Sequence, residues 1–286
     1  MDNLKVKKRH PEEIAVYTAI YVCAAFSVLL LLGIIIYVFA KGARRVNWAF
    51  LTGVTSILHG TVGIAGNILN TLIIILLTMI ITTPIGVGAA IYLNEYAKPG
   101  KLVTVIIFAT ETLAGIPSII FGLFGMLFFG QLCHMGYSLL TGSLTLTLMV
   151  LPLVTRNTQE ALKTVPDSFR TGAVGLGAGK WYTIRTILLP SAMPGIVTGV
   201  ILAIGRIIGE SAALLFTAGS AHLLPKTFNA FLEKIFHSGG TLTIQLYLSA
   251  SKGEFEVAFG IAVVLLVIVL LINFGTKRLA KKLEKH

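Results

Sequence analysis

Long apolar blocks separated by short polar segments dominate the chain. In order they cover residues 14–40, 68–93, 102–129, 139–154, 191–217 and 257–274. A hydrocarbon core about 30 Å thick takes about 20 helical residues. The pattern therefore predicts six membrane-crossing helices and an all-α integral membrane protein. Three blocks carry interruptions. Pro84 lies in the second and Pro117 in the third, and Arg206 and Glu210 lie in the fifth. Small residues gather around the prolines, in "PIGVGAA" and in "GIPSIIFGLFG", where Gly115, Ser118, Gly122 and Gly125 fall close together. Such residues let helices approach closely. They also suit the lining of a narrow pathway, and at this point both readings stand.

The polar segments set the topology. Lys5, Lys7, Lys8 and Arg9 precede the first block in the manner of a signal-peptide n-region. The apolar run behind them is too long for a cleaved signal, so it reads as an uncleaved first helix. With the N-terminus inside, the inner segments hold 16 Lys and Arg residues and the outer loops hold six. The positive-inside rule then places both termini in the cytoplasm. Residues 1–13 form an inner tail, 14–274 the six-helix domain, and 275–286 a basic inner tail. Lys41, Arg44 and Arg45 run against that trend. In the last outer loop Phe228, Phe231, Leu232, Ile235 and Phe236 recur at helical spacing, with Lys226, Glu233, Lys234 and His237 among them. This predicts a short amphipathic helix at the outer interface or packed on the protein surface.

Composition supports this picture. Hydrophobic residues make up 55% of the chain and charged residues 12%, at a mean hydropathy of +0.87. A soluble domain carries about a quarter charged residues. The net charge of +11 follows from topology signals beside the spans, so nucleic acid is excluded as a partner and membrane lipid is expected. Cys23 and Cys133 form no motif, and no two of the six histidines have metal-ligand spacing. No metal and no cofactor are expected.

The longest inner segment, residues 155–190, is too polar to span and too patterned for a linker. Pro166 and Asp167 are suited to start a short helix. Its "GLGAGK" imitates a phosphate-binding loop. That pattern needs a glycine, four intervening residues, then Gly-Lys-Ser/Thr, yet position 174 is Val and Lys180 is followed by Trp181. This chain should not bind ATP or act as an enzyme.

The segment resembles the coupling loop of permease subunits of bacterial ABC importers. That family carries Glu-Ala-Ala, three residues, Gly, nine residues, then Ile-x-Leu-Pro. In this register stand Thr171, Gly172 and Ala173, then Gly177, then Ile187, Leu189 and Pro190. The spacing fits throughout. Thr171 and Gly172 depart from the family's Glu-Ala, which removes an anionic contact. "GRIIGESAALLFTAG", "LAGIPSIIFGLFG" and "TLTIQLYLSASKGEFEVAFG" further resemble the PstA-type permease of phosphate importers, over roughly residues 65–275. The resemblance implies an importer-permease fold. It implies that Arg170, Thr171, Gly172, Ala173, Gly177, Ile187, Leu189 and Pro190 couple the spans to a separate ATPase. The implied partners are a second similar permease, two copies of a cytoplasmic ATP-binding subunit and an extracytoplasmic phosphate-binding protein. Sulfate, molybdate and phosphonate are alternative cargoes. An anion channel or a phosphate-signalling subunit are competing roles.

Arg206 and Glu210 remain to be explained. A charge at mid-membrane costs about 2.5 to 3.5 kcal/mol on insertion scales, so it needs a partner or a wet cavity. On an unbroken helix the two residues share a face. They then form a packing ion pair, or they line the substrate pathway with Arg206 as a permanently cationic oxyanion contact and Glu210 as its moderator. Glu111 lies near the inner end of its block and reads as a cap or interfacial residue.

Overall fold

The computed structural model describes residues 11–56, 61–225 and 227–283. Lys5, Lys7, Lys8, Arg9 and Lys226 lie outside the described residues. The first helix, α1 (Pro11–Gly42), stands almost alone with its apolar surface exposed. It touches the body where Tyr37 meets Phe259 edge-on and where Gly42 lies against the Phe259 carbonyl. A short helix α2 (Trp48–Thr52) and an antiparallel pair, β1 (Val54–Ser56) and β2 (Thr61–Ile64), follow. The apolar pattern gave no sign of these strands.

Three long helices make the centre: α3 (Ala65–Ile91), α6 (Leu139–Lys163) and α9 (Leu189–Gly209). Their shared core includes Ile74, Leu146, Met149, Val150 and Ile207. A second core at one end joins Leu162, Ile184 and Leu188, and a third at the other joins Phe50, Leu242 and Ile261. The last long helix, α13 (Phe255–Leu283), closes the outside.

Five helices are long and apolar enough to cross a membrane, and a bent pair brings the number to six. That pair is α4 (Lys101–Gly115) and α5 (Ser118–Gly125, continued as a π turn over Met126–Leu132), which meet at 103°. The third apolar block is therefore a sharply bent pair of helices and not one continuous helix. Pro117 is the cause: it cannot donate within a helix, and it pushes Ile116 into the extended region, where ψ is 132°.

The fifth block also departs from a single helix. α9 stops at Gly209, Glu210 is extended with φ −81° and ψ 125°, and a separate helix α10 (Ala212–Thr217) begins. At its inner end α9 is continuous with α8 (Lys180–Thr183) through a π turn, Ile184–Leu188. Pro190 supplies the reason, since it has no N–H for the carbonyl four residues earlier and its ring crowds that carbonyl.

Several buried hydroxyls on these helices bond within their own helix. Ser143, Thr145 and Thr147 on α6 donate to carbonyls four residues back, at 2.8 to 2.9 Å. Other polar groups bind across the fold. Asn67 and Asn70 of α3 each donate to the Gly240 carbonyl at 3.0 Å, and Asn70 also reaches the Ala221 carbonyl at 3.1 Å. The two amides fix the start of the last outer segment, ahead of α12 (Leu242–Ser251).

The short helix expected before it is present as α11 (Phe228–Glu233) with a 3-10 turn, Lys234–Phe236. Its faces differ from the expectation. Phe231 and Ile235 pack on the main core, Leu232 and Phe236 are exposed, and Lys234 is buried with its ammonium on the Leu223 carbonyl. Burial pushes that ammonium below the usual lysine range.

Close approach is tightest at Gly66 among the described glycines. A Cβ at Gly66 would stand 1.9 Å from the His222 carbonyl oxygen. Gly66→Val should therefore destabilise the protein by about 2 kcal/mol or more. Thermal unfolding in detergent should show a lowered Tm for Gly66→Val and an unchanged one for Gly33→Val, whose Cβ meets nothing within 4 Å.

Candidate functional site

Two regions gather the chemistry. The first is the segment between α6 and α9. Pro166 and Asp167 start α7 (Asp167–Gly175), as their residue types predict. The helix is closed by Gly177, whose φ of +81° suits glycine. The Gly177 N–H donates to the Val174 carbonyl at 2.9 Å, and the Ala178 N–H to the Ala173 carbonyl at 2.9 Å.

Arg170 faces inward and holds this helix to two others. Its Nη2 donates to Glu95 Oε1 at 2.9 Å and its Nε to Oε2 at 3.4 Å. Nη2 also reaches the Leu162 carbonyl, and Nη1 the Val165 carbonyl and Asp167 Oδ1, each at 3.0 Å. The Leu162 carbonyl belongs to the last turn of α6, where no helical N–H remains to satisfy it. Glu95 sits in the π turn Tyr92–Tyr96 that ends α3, and its side chain is only 9% exposed. One guanidinium thus binds α3, α6 and α7 together. Its hydrogen bonds to Glu95 push its pKa above the ordinary arginine value. Lys180 adds a cation over the Tyr96 ring at 4.7 Å.

The other loop residues divide by position. Thr171 is exposed, and its hydroxyl donates to its own helix at the Asp167 carbonyl. Gly172 faces open space. Ala173 is buried. Ile187, Leu189 and Pro190 lie where the chain turns into α9, with Leu189 packed on the inner core. Around them Phe169, Val174, Leu176 and Trp181 stand exposed, Leu176 at 91%. The sequence reading missed Glu95 as the anchor. Its signal is a lone carboxylate in an inner loop otherwise marked by Lys98 and Lys101.

The second region surrounds Arg206. The break at Glu210 removes the shared helix face expected for the two residues. Glu210 Oε1 accepts from the Ala213 N–H at 3.0 Å, and its carbonyl accepts from the Thr243 hydroxyl at 2.8 Å. The glutamate thus caps the start of α10. Among the described residues, the ion pairs are Arg156–Glu160, Arg170–Glu95 and Arg170–Asp167, and neither Arg206 nor Glu210 enters one.

Arg206 instead lines a cleft of about 160 Å³ with Glu111, Met149, Leu153 and Arg156. Glu111, expected to act as a cap or interfacial residue away from Arg206, thus shares its cleft. Thr110, Glu111 and Arg156 also line a second cleft of about 160 Å³, which runs on to Gln159, Glu160 and Lys163. Charges at this depth do not face lipid. This face of α4, α6 and α9 therefore turns to water or to a partner.

The fold is a helical bundle with several helices long and apolar enough to cross a membrane, a stapled elbow and a charged cleft, and known proteins identify its class. The family of binding-protein-dependent transport system inner membrane components matches residues 82–286. The chain belongs to that family and is a multi-pass permease subunit of an ABC transporter. It is 36% identical over 273 residues to the probable ABC transporter permease protein YqgI of Bacillus subtilis, covering 92% of this chain and 93% of that protein. It is 35% identical to the phosphate transport system permease protein PstA of Xylella fastidiosa, covering 84% and 82% respectively. Among solved structures, a bacterial alginate ABC transporter bound to its periplasmic protein matches with a TM-score of 0.71 at 14% identity, covering 96% of both chains. That likeness supports the fold.

The Arg170–Glu95 pair is mostly shielded from water, so it should couple strongly. Arg170→Ala, Glu95→Ala and the double variant should give a double-mutant coupling energy of about 2 kcal/mol in denaturation experiments. Proteolysis of the 164–179 segment should quicken in both single variants. Additive effects would show that the contact does not hold the elbow.

Proposed function

We propose that this chain is a permease subunit of an ATP-driven importer for inorganic phosphate, with both termini in the cytoplasm. Its relatives named for phosphate transport support the cargo. The observation that carries the reading is Arg206: an arginine without an ion pair, on a central helix, open to an internal cleft. Phosphate is an oxyanion of between one and two negative charges near neutral pH. A guanidinium stays cationic in a poorly hydrated route and offers a planar fork of donors. A site on a route must also release its ion, and Glu111 in the same cleft supplies the opposing charge. Glu210 acts on the route through shape, by holding the break between α9 and α10.

The inner elbow is the coupling element. Phe169, Val174, Leu176 and Trp181 offer an apolar surface for a cleft on a separate ATP-binding subunit, present in two copies. Arg170, with Gly177 and Pro190, makes the elbow rigid enough to pass that subunit's closure into α3, α6 and α9. A second, similar permease completes the route and an extracytoplasmic phosphate-binding protein delivers the anion.

The test is phosphate-stimulated ATP hydrolysis by the complete complex in lipid. Arg206→Lys keeps the charge and loses the fork. It should lower stimulation by about tenfold or more, the equivalent of one charge-assisted hydrogen bond, while co-purification shows normal assembly. Unchanged stimulation would remove Arg206 from the route. Stimulation of the parent complex by sulfate or molybdate and not by phosphate would overturn the cargo and leave the permease intact.

A further inference from the structure

The clefts around Arg206 and Lys163 meet at Thr110, Glu111 and Arg156, and their order along the helices is informative. α9 runs antiparallel to α6, with Gly199 against Asn157 and Gly195 against Ala161. In that register Arg206 lies about 10 Å further from the inner end than Asn157, at a rise of 1.5 Å per residue. Lys163 follows Arg156 by seven residues on the same face of α6, about 10 Å toward the inner end. Three cations therefore mark one continuous cleft at roughly even steps: Arg206, Arg156 and Lys163. Carboxylates alternate with them. Glu111 lines both clefts, and Glu160 Oε1 accepts from Arg156 Nε at 3.2 Å.

A packing role does not account for Arg156. Its side chain is 66% exposed and that of Glu160 is 61% exposed, and such i,i+4 pairs contribute about 0.3 to 0.5 kcal/mol at most. Neither is a buried charge that the fold requires. Arg156 lines the cleft that Arg206 lines, and with Glu160 it lines the adjoining one.

We propose that Arg156 and Lys163 form an anion-exit relay on α6, which takes phosphate from Arg206 and passes it to the cytoplasm. This rests on the anion route proposed above. Several weak sites in series allow passage where one strong site would trap the ion. Glu111 and Glu160 occupy the cations between passages and keep each step weak. The relay needs charge at Arg156 and Lys163, whereas Arg206 also needs its planar fork.

Uptake of radiolabelled inorganic phosphate by the complete importer in lipid vesicles tests this, with ATP and the binding protein supplied. Arg156→Gln and Lys163→Gln should each lower the maximal rate about fivefold, with apparent KM changed less than about twofold, because release is slowed and capture is not. Arg156→Lys should retain most of the rate.

Chemical modification separates charge from folding, since it acts after assembly. With Cys23 and Cys133, both exposed, replaced by serine, Arg156→Cys and Lys163→Cys should transport slowly. A cationic trimethylammonium-ethyl methanethiosulfonate should restore transport, and the anionic sulfonatoethyl reagent should not. Normal uptake by the Arg156→Gln/Lys163→Gln double variant, or equal response to both reagents, would overturn the relay. If Arg206→Gln abolishes uptake in that case, the route through Arg206 stands without it. Normal uptake by Arg206→Gln would overturn the route itself.

Discussion

Lipid offers no hydrogen bonds and no hydration, so every polar group in the spanning region needs a partner within the protein or a wet surface. Most of this structure follows from that constraint. Hydroxyls on α6 return to carbonyls of their own helix. The amides of Asn67 and Asn70 satisfy carbonyls of an outer segment more than 150 residues away in sequence, and so tie it to α3. Among the described residues, Arg206 enters no ion pair and lines a cleft with Glu111 and Arg156. Its charge cannot be neutralised near neutral pH, and its helix offers no counterion.

The same constraint explains why breaks in the helices coincide with chemistry. An interrupted helix exposes backbone groups, which are tolerated in a membrane only where protein or water meets them. At Pro117 the chain bends by 103°, and α5 then packs so closely on its neighbours that a Cβ at Gly125 would stand 2.0 Å from the Thr145 hydroxyl. At Glu210 the break is met by the glutamate's own carboxylate and by Thr243. At Pro190 a π turn absorbs the missing donor. The first lies next to the cleft and the last next to the elbow, so the backbone irregularities adjoin the two regions that gather the chemistry.

Much of this was legible in the residues. Apolar block length revealed the spans, and Pro166 with Asp167 the start of α7, because each rule is local, whereas Gly177 and Pro190 were marked by the resemblance to the coupling loop. The relation between Arg206 and Glu210 was not legible. A spacing of four predicts a shared face only if the helix continues, and nothing local in "GRIIGES" distinguishes continuation from a cap. Only the position of Thr243 and the start of α10 decide it. Glu111 was misjudged for a related reason. Depth along its own block suggested separation from Arg206, but the bend at Pro117 and the antiparallel course of α4 and α6 bring it into the same cleft. The β1–β2 pair was missed because each strand is only three or four residues long.

The elbow and the cleft share one structural member, α6, and in the proposed function that sharing is where force and substrate meet. The C-terminal turn of α6 presents the Leu162 carbonyl to Arg170, while over its last two turns the same helix presents Arg156, Gln159 and Lys163 to the cleft. A tilt of α7 transmitted through Arg170 therefore moves the cleft wall as a rigid piece. It also moves α3 through Glu95, so the two helices that pack most extensively in the core shift together and their interface is preserved. Coupling of this kind needs no contact between the elbow and the transported ion. It needs a short, well-bonded connection between them, and the Arg170 guanidinium, which reaches α3, α6 and α7 at once, is that connection.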